Sequence, residues 1–138
     1  MTVTWDSTLL EAKLREACYR GVVAGVEMVL TEGTRLILSP PKTGKIYVRR
    51  GIKHQASAPG EPPASDTGRL AGSANAIYPN QADLFQVIGY ANWSTIYARP
   101  LELGSENVDP RPFARPALDS CTPAIQGGIA AEVKAAFS

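Results

Sequence analysis

Residues 6–38 read DSTLLEAKLREACYRGVVAGVEMVLTEGTRLIL, and this stretch decides the fold. Leu10, Leu14, Ala17, Gly21, Gly25 and Val29 recur at steps of three or four, and Cys18, Val22 and Leu30 widen the stripe. That is the period of an α-helix with one apolar face. Lys13, Arg15, Glu16, Arg20, Glu27 and Glu32 lie largely off it. Asp6, Ser7 and Thr8 are all N-cap types, and Thr8 with Glu11 has capping-box spacing. Gly33 is a candidate stop, but Leu36 and Ile37 continue the stripe. The helix is therefore expected to run to Leu38, where Pro40-Pro41 ends it. Gly21 and Gly25 each cost about 1 kcal/mol relative to Ala. Four residues apart on the apolar face, they allow a second backbone to approach closely.

Downstream of this helix the chain changes character. The chain has 11 Pro among 138 residues, and ten of them fall between Pro40 and Pro63 or between Pro100 and Pro123. Proline interrupts helix interiors and sheet ladders alike, so these two stretches read as extended arms or rigid turns. Inside the first, residues 45–49 and 52–56 flank Arg50-Gly51 and read as a two-stranded hairpin. Lys42, Lys45, Arg49, Arg50 and Lys53 bring five positive charges to it, with no acid among them and Tyr47 interleaved. An isolated hairpin is marginal in water, so this one needs a surface to lie against.

After the stiff return through residues 57–64, a short helix is expected from Asp66 or Thr67 as N-cap. Strands follow over 76–78 and 84–89, with a turn at 79–83. Another structured piece begins at 96–98 and ends at Leu103-Gly104. A last helix is expected over 122–137, with Thr122 as cap and Pro123 at its first position. Pro116 fits the first turn of a short segment before it. The order predicts one α+β domain: long N- and C-terminal helices on a small antiparallel sheet, with a protruding basic hairpin arm.

Composition excludes several classes. Charged residues are 20% of the chain and the net charge is +1, which fits neither a disordered tail nor a wholly basic nucleic-acid domain. The first residues lack the charged and apolar regions of a signal peptide, and no stretch approaches the roughly 20 apolar residues of a membrane span. A soluble protein made in the cytoplasm is expected, with Cys18 and Cys121 as free thiols. Two cysteines make neither a disulfide framework nor a four-ligand zinc site.

The candidate chemistry is thin. Lys42-Thr43-Gly44-Lys45 has the ending of a phosphate loop, but Ser39 and Ile46 stand where that loop needs Gly and Ser/Thr. His54 is the single histidine. A triad with Ser57 and Asp66 can be written, but His54 sits in the arm without a rigid shell. Glu102, Glu106 and Asp109 fall on a loop broken by Gly and Pro. No catalytic residue, metal site or cofactor is expected.

Two ordered blocks carry a resemblance. Residues 57–73 contain Asp66-Thr67-Gly68-Arg69-Leu70 followed by Ser73. Residues 97–105 contain Tyr97, Glu102 and Gly104, and 111–118 contain Arg111-Pro112-Phe113 and Pro116-Ala117-Leu118. Together they resemble the head–tail joining and tail-completion proteins, or minor tail proteins, of tailed bacteriophages. The resemblance implies a structural virion protein in the neck, not an enzyme. It implies a homo-oligomeric ring, a hexamer, between a head-closure or connector protein and a tail terminator or tail tube protein. Double-stranded DNA would pass nonspecifically through its lumen, and no membrane is involved. Alternatives are a tail terminator, a minor capsid-associated component or a DNA-binding module. In this picture Lys42, Lys45, Tyr47, Arg49, Arg50 and Lys53 form an arm facing a neighbour or DNA. Arg69 is free for a carboxylate, with Glu102 as a candidate partner. Phe113 is an apolar anchor at an interface or under the last helix.

Overall fold

The computed structural model describes residues 1–39, 42–81, 83 and 86–138. It is an α+β fold. Helix α1 spans Thr8–Leu38, strands β1 and β2 span Ile46–Arg49 and Ile52–Gln55, and α2 spans Arg69–Gly72. Strands β3 (Ala74–Ile77) and β4 (Tyr90–Trp93) follow, then α3 (Ala98–Leu103) and α4 (Ala114–Ala136).

The apolar stripe of α1 is its buried face. Ala17, Gly21, Gly25, Val26, Val29, Leu30, Gly33 and Ile37 are buried. Helix α4 lies along this face in the opposite direction. A Cβ added at Gly21 would stand 2.9 Å from the Cα of Ile129, and one at Gly25 would stand 3.0 Å from Ile125. The two glycines thus perform the close approach that their spacing implies. Gly33 neither ends the helix nor faces α4 alone. An added Cβ there would meet the Trp93 ring at 2.6 Å. Trp93 in turn meets Phe113 edge to face, with centroids 5.1 Å apart. Around this pair gather Val26, Leu30, Ile37, Leu70 and Ala98. Phe113 is 1% exposed, so its place is under the start of α4.

The antiparallel register has a consequence at the N-terminal end. Each step up α1 is a step down α4, so Leu14 falls opposite Ala136, where α4 ends. Leu9, Leu10 and Leu14 are exposed, although Leu10 and Leu14 belong to the apolar stripe.

Among the described residues there are two small antiparallel sheets. One is the hairpin β1–β2, and the other pairs β3 with β4. Ala74 pairs with Trp93 and Ala76 with Ala91. These four side chains share one face, packed on the core. The outward face carries Asn75, Ile77, Tyr90 and Asn92. The expected strand over 84–89 starts on residues outside the described set, as does part of the expected turn at 79–83. Its described part, 86–89, is not strand. The partner of β3 is β4, which begins directly after that stretch; at Gly89 an added Cβ would stand 2.7 Å from Val26 and 3.1 Å from Val22.

Four further expectations are corrected. The last helix starts at Ala114, not at 122, and carries Pro123 inside it. Its N-terminus is capped from outside: Glu102 accepts from the backbone N–H of Phe113, Ala114 and Arg115 at 2.8, 2.9 and 2.8 Å. Three of the four orphan donors of the first turn are thereby satisfied, and Pro116 stands in that turn without a donor to satisfy. Glu102 is therefore not the partner of Arg69. The piece at 96–103 resolves into the one-and-a-half-turn α3, with Pro100 in its first turn, where its missing N–H has no cost. Neither Asp66 nor Thr67 caps α2. Gly68, with φ at 76°, occupies that position and no side chain bonds to it. At the start of α1, Asp6 accepts from Thr8 N–H at 2.9 Å and Ser7 bonds to Glu11, so the Thr8–Glu11 box does not form.

Candidate interaction surface

The hairpin turns at Arg50-Gly51, both with positive φ of 54° and 77°, as a tight turn matching strand twist requires. Its base is stitched to the return strand. Gly44 N–H donates to Ala56, and Ala56 N–H donates to Lys45, both at 2.9 Å. A side chain at Gly44 would strike the Ser57 carbonyl at 2.5 Å. That is the work of Lys42-Thr43-Gly44-Lys45, in place of phosphate binding.

A second device locks the base. Glu61 accepts from the Thr43 hydroxyl, from Thr43 N–H at 3.0 Å and from Ala58 N–H at 2.9 Å. The Thr43 hydroxyl first, then the two N–H groups, hold its carboxyl down at about 2. It is the single acid in residues 39–64, and that isolation was the signal by which it was findable.

The two faces of the hairpin differ. Pairing sets Tyr47 opposite His54 and Arg49 opposite Ile52 on one face, and Ile46 opposite Gln55 and Val48 opposite Lys53 on the other. On the first, Tyr47 stacks on His54 with centroids 5.7 Å apart. Arg49 pairs with Asp66, and His54 Nδ1 lies 3.5 Å from the same carboxylate. Asp66 thus anchors the arm to the body, which is why it does not cap α2. Among the described residues no hydrogen bond joins His54 to Ser57. The second face is open: Ile46 is 66% exposed and Val48 65%. Lys45, Arg50 and Lys53 are exposed.

Lys42 does not belong to the arm. It is half-buried, and its Nζ donates to the Leu36 carbonyl at 2.9 Å, satisfying an orphan acceptor at the end of α1. Burial lowers its pKa. Among the described residues Lys45, Arg50 and Lys53 make no ion pair.

The two family-like blocks converge beneath the arm. Arg49, Asp66, Arg69, Leu70, Tyr97 and Arg111 line a cleft of about 380 Å³. Arg111 reaches back to the Ser57 carbonyl at 3.4 Å. Among the described residues Arg69 has no ion pair. Thr67 is exposed, Leu70 is buried and Pro112 half-buried. Gly104 has φ at 81° and closes α3 against Pro110. Among the described residues no group of three potential metal ligands gathers. No helix among them is long and apolar enough to cross a membrane. Cys18 and Cys121 are both free.

A second surface shares none of the cleft's residues. An apolar groove of about 450 Å³ runs between α1, β4 and α4, walled by Val22, Val26, Val29, Trp93, Leu118 and Ile125. Sequence reading missed it because its walls come from three distant segments.

Comparison of the chain with family models, with curated proteins and with solved structures finds no match.

Proposed function

We propose that this chain is a structural subunit of the neck of a tailed bacteriophage, one copy in a ring that joins the DNA-filled head to the tail. The observation that carries the reading is surface. The chain exposes 9452 Å², whereas a compact monomer of its mass, 14.7 kDa, exposes about 6,900 Å². The surplus of roughly 2,500 Å² compares with about 800 Å² that each partner contributes to a standard interface, and a ring subunit has two such interfaces. Large apolar side chains are spread through it, among them Val3, Trp5, Leu9, Ile46 and Val48.

A ring is a head-to-tail assembly and needs two unlike surfaces on each subunit. The open hairpin face and the groove beside β4 are unlike in shape and lie on different elements. Lys45, Arg50 and Lys53 supply positive charge for DNA in a lumen or for an acidic neighbour. The chemistry is that of holding neighbours, with no catalytic group assigned.

Reconstruction of a particle carrying the protein tests this. The subunit is expected as a ring on the neck axis, with density for the hairpin on a neighbour. Replacing Ile46 and Val48 by Asp leaves the contacts to Asp66 intact. Heads and tails are then expected to accumulate unjoined. Full infectivity of that variant, or absence of the protein from the neck, overturns the reading.

A further inference from the structure

The first six residues read Met-Thr-Val-Thr-Trp-Asp. Apolar and polar side chains alternate with the period of a strand. The segment has no regular structure, and Met1, Val3 and Trp5 are exposed, Trp5 at 81%. Three large apolar groups in strand spacing are thus left without a surface in their own chain.

The groove beside β4 has the complementary character. Its walls are apolar, and its floor is bounded by β4, which pairs with β3 on one side only. Among the described residues nothing pairs with the backbone of the other edge, which makes it a template for one more strand. Trp93 is 7% exposed, and its Nε1 is buried with no hydrogen-bond partner among the described residues. A buried donor without an acceptor costs about 1–3 kcal/mol, so the indole at the groove wall is a sensitive reporter of any rearrangement there.

The segment of the same chain cannot supply that strand. Trp5 is three residues before Thr8, at most about 11 Å of extended chain. The nearest wall residue on α1, Val22, lies about 21 Å along the helix from Thr8. The occupant must come from elsewhere.

We infer that the groove between α1, β4 and α4 receives residues 1–6 of a second copy of this chain. That segment adds as a strand to the free edge of β4 and seats Val3 and Trp5 between the walls. The contact is heterologous, so it propagates head to tail and closes into a ring when the rotation allows. The inference rests on the subunit reading only in taking the partner to be a second copy; it names a joint other than the hairpin.

The test uses the full chain and two variants. Trp5→Ala removes the anchor from a side chain that supports nothing in its own fold. Leu118→Asp puts a charge in the groove at a half-open position. In sedimentation, the native chain is expected to associate, and each variant alone to fall to the 14.7 kDa of one chain. An equimolar mixture is expected to form pairs and stop there, since one intact strand meets one intact groove. A peptide of residues 1–7, added to the Trp5→Ala chain, is expected to shift the Trp93 indole N–H resonance and slow exchange of the β4 amides. This arm holds even if Leu118→Asp does not fold. An unmoved Trp93 resonance overturns the inference, as does a Trp5→Ala chain that keeps the native mass. If Trp5→Ala still assembles while the Ile46 and Val48 variant does not, the strand joint fails and the subunit reading stands.

Discussion

Glu102 shows how much one side chain decides. It stands on α3, eleven to thirteen residues before the three N–H groups it binds at the start of α4. Its negative charge also meets the positive end of the α4 dipole. Glu102→Ala is expected to cost about 1–2 kcal/mol, in the range of a lost helix cap, and to lower the melting midpoint by about 5 °C. A calorimetric scan checks it. Glu61 has the corresponding role at the base of the arm, with a pH signature. Its carboxyl is held at about 2 against an ordinary 4.5. A depressed pKa means that its contribution is complete above 4.5 and is lost as pH falls from there toward 2. Amide exchange of β1 and β2 is expected to quicken in that window before exchange in α1 does; equal response of both rejects the clamp. Glu61 stood out in the chain as the single acid of its stretch, but neither residue's partners were legible there. A carboxylate names its charge, but which N–H groups it meets depends on segments that only folding brings together.

The elements divide by how local their cause is. The periodicity of α1 set both its length and its glycine contacts, and the hairpin followed from Arg50-Gly51 between two short runs. Helix α4 did not follow from local rules. Thr122-Pro123 has the look of a helix start, yet the helix passes through it, because packing along α1 from Ala117 to Ile129 outweighs one missing ladder bond. Gly33 and Gly127 separate the two uses of glycine in a helix. At Gly33 a Cβ would lie 2.6 Å from the Trp93 ring, while at Gly127 nothing lies within 4 Å. Gly33→Ala is expected to destabilise by about 1–3 kcal/mol through overpacking. Gly127→Ala is expected to stabilise by up to about 1 kcal/mol through helix propensity and lost chain entropy. Denaturant midpoints of the two variants should move in opposite directions.

At the scale of the molecule the arrangement is long and open. Helix α1 has 31 residues and spans about 46 Å, whereas a compact chain of this length has a radius of gyration of about 14 Å. Small-angle scattering of the single-chain form is expected to give a clearly larger radius; a value near 14 Å would mean that the N-terminal segment and the hairpin fold back onto the body. The sequence by itself determined the α+β class, the α1 stripe with its two close-approach glycines, and the basic hairpin between proline clusters. Each is written in neighbouring residues, through period, turn chemistry or charge. Tertiary structure alone decided that Asp66 anchors the arm rather than capping α2. It decided that Glu102 caps α4, that Trp93 fills the notch at Gly33, and that a groove lies open beside β4. Those features join residues far apart in the chain, and their energies come from burial and hydrogen bonds that exist only once α1 and α4 have packed.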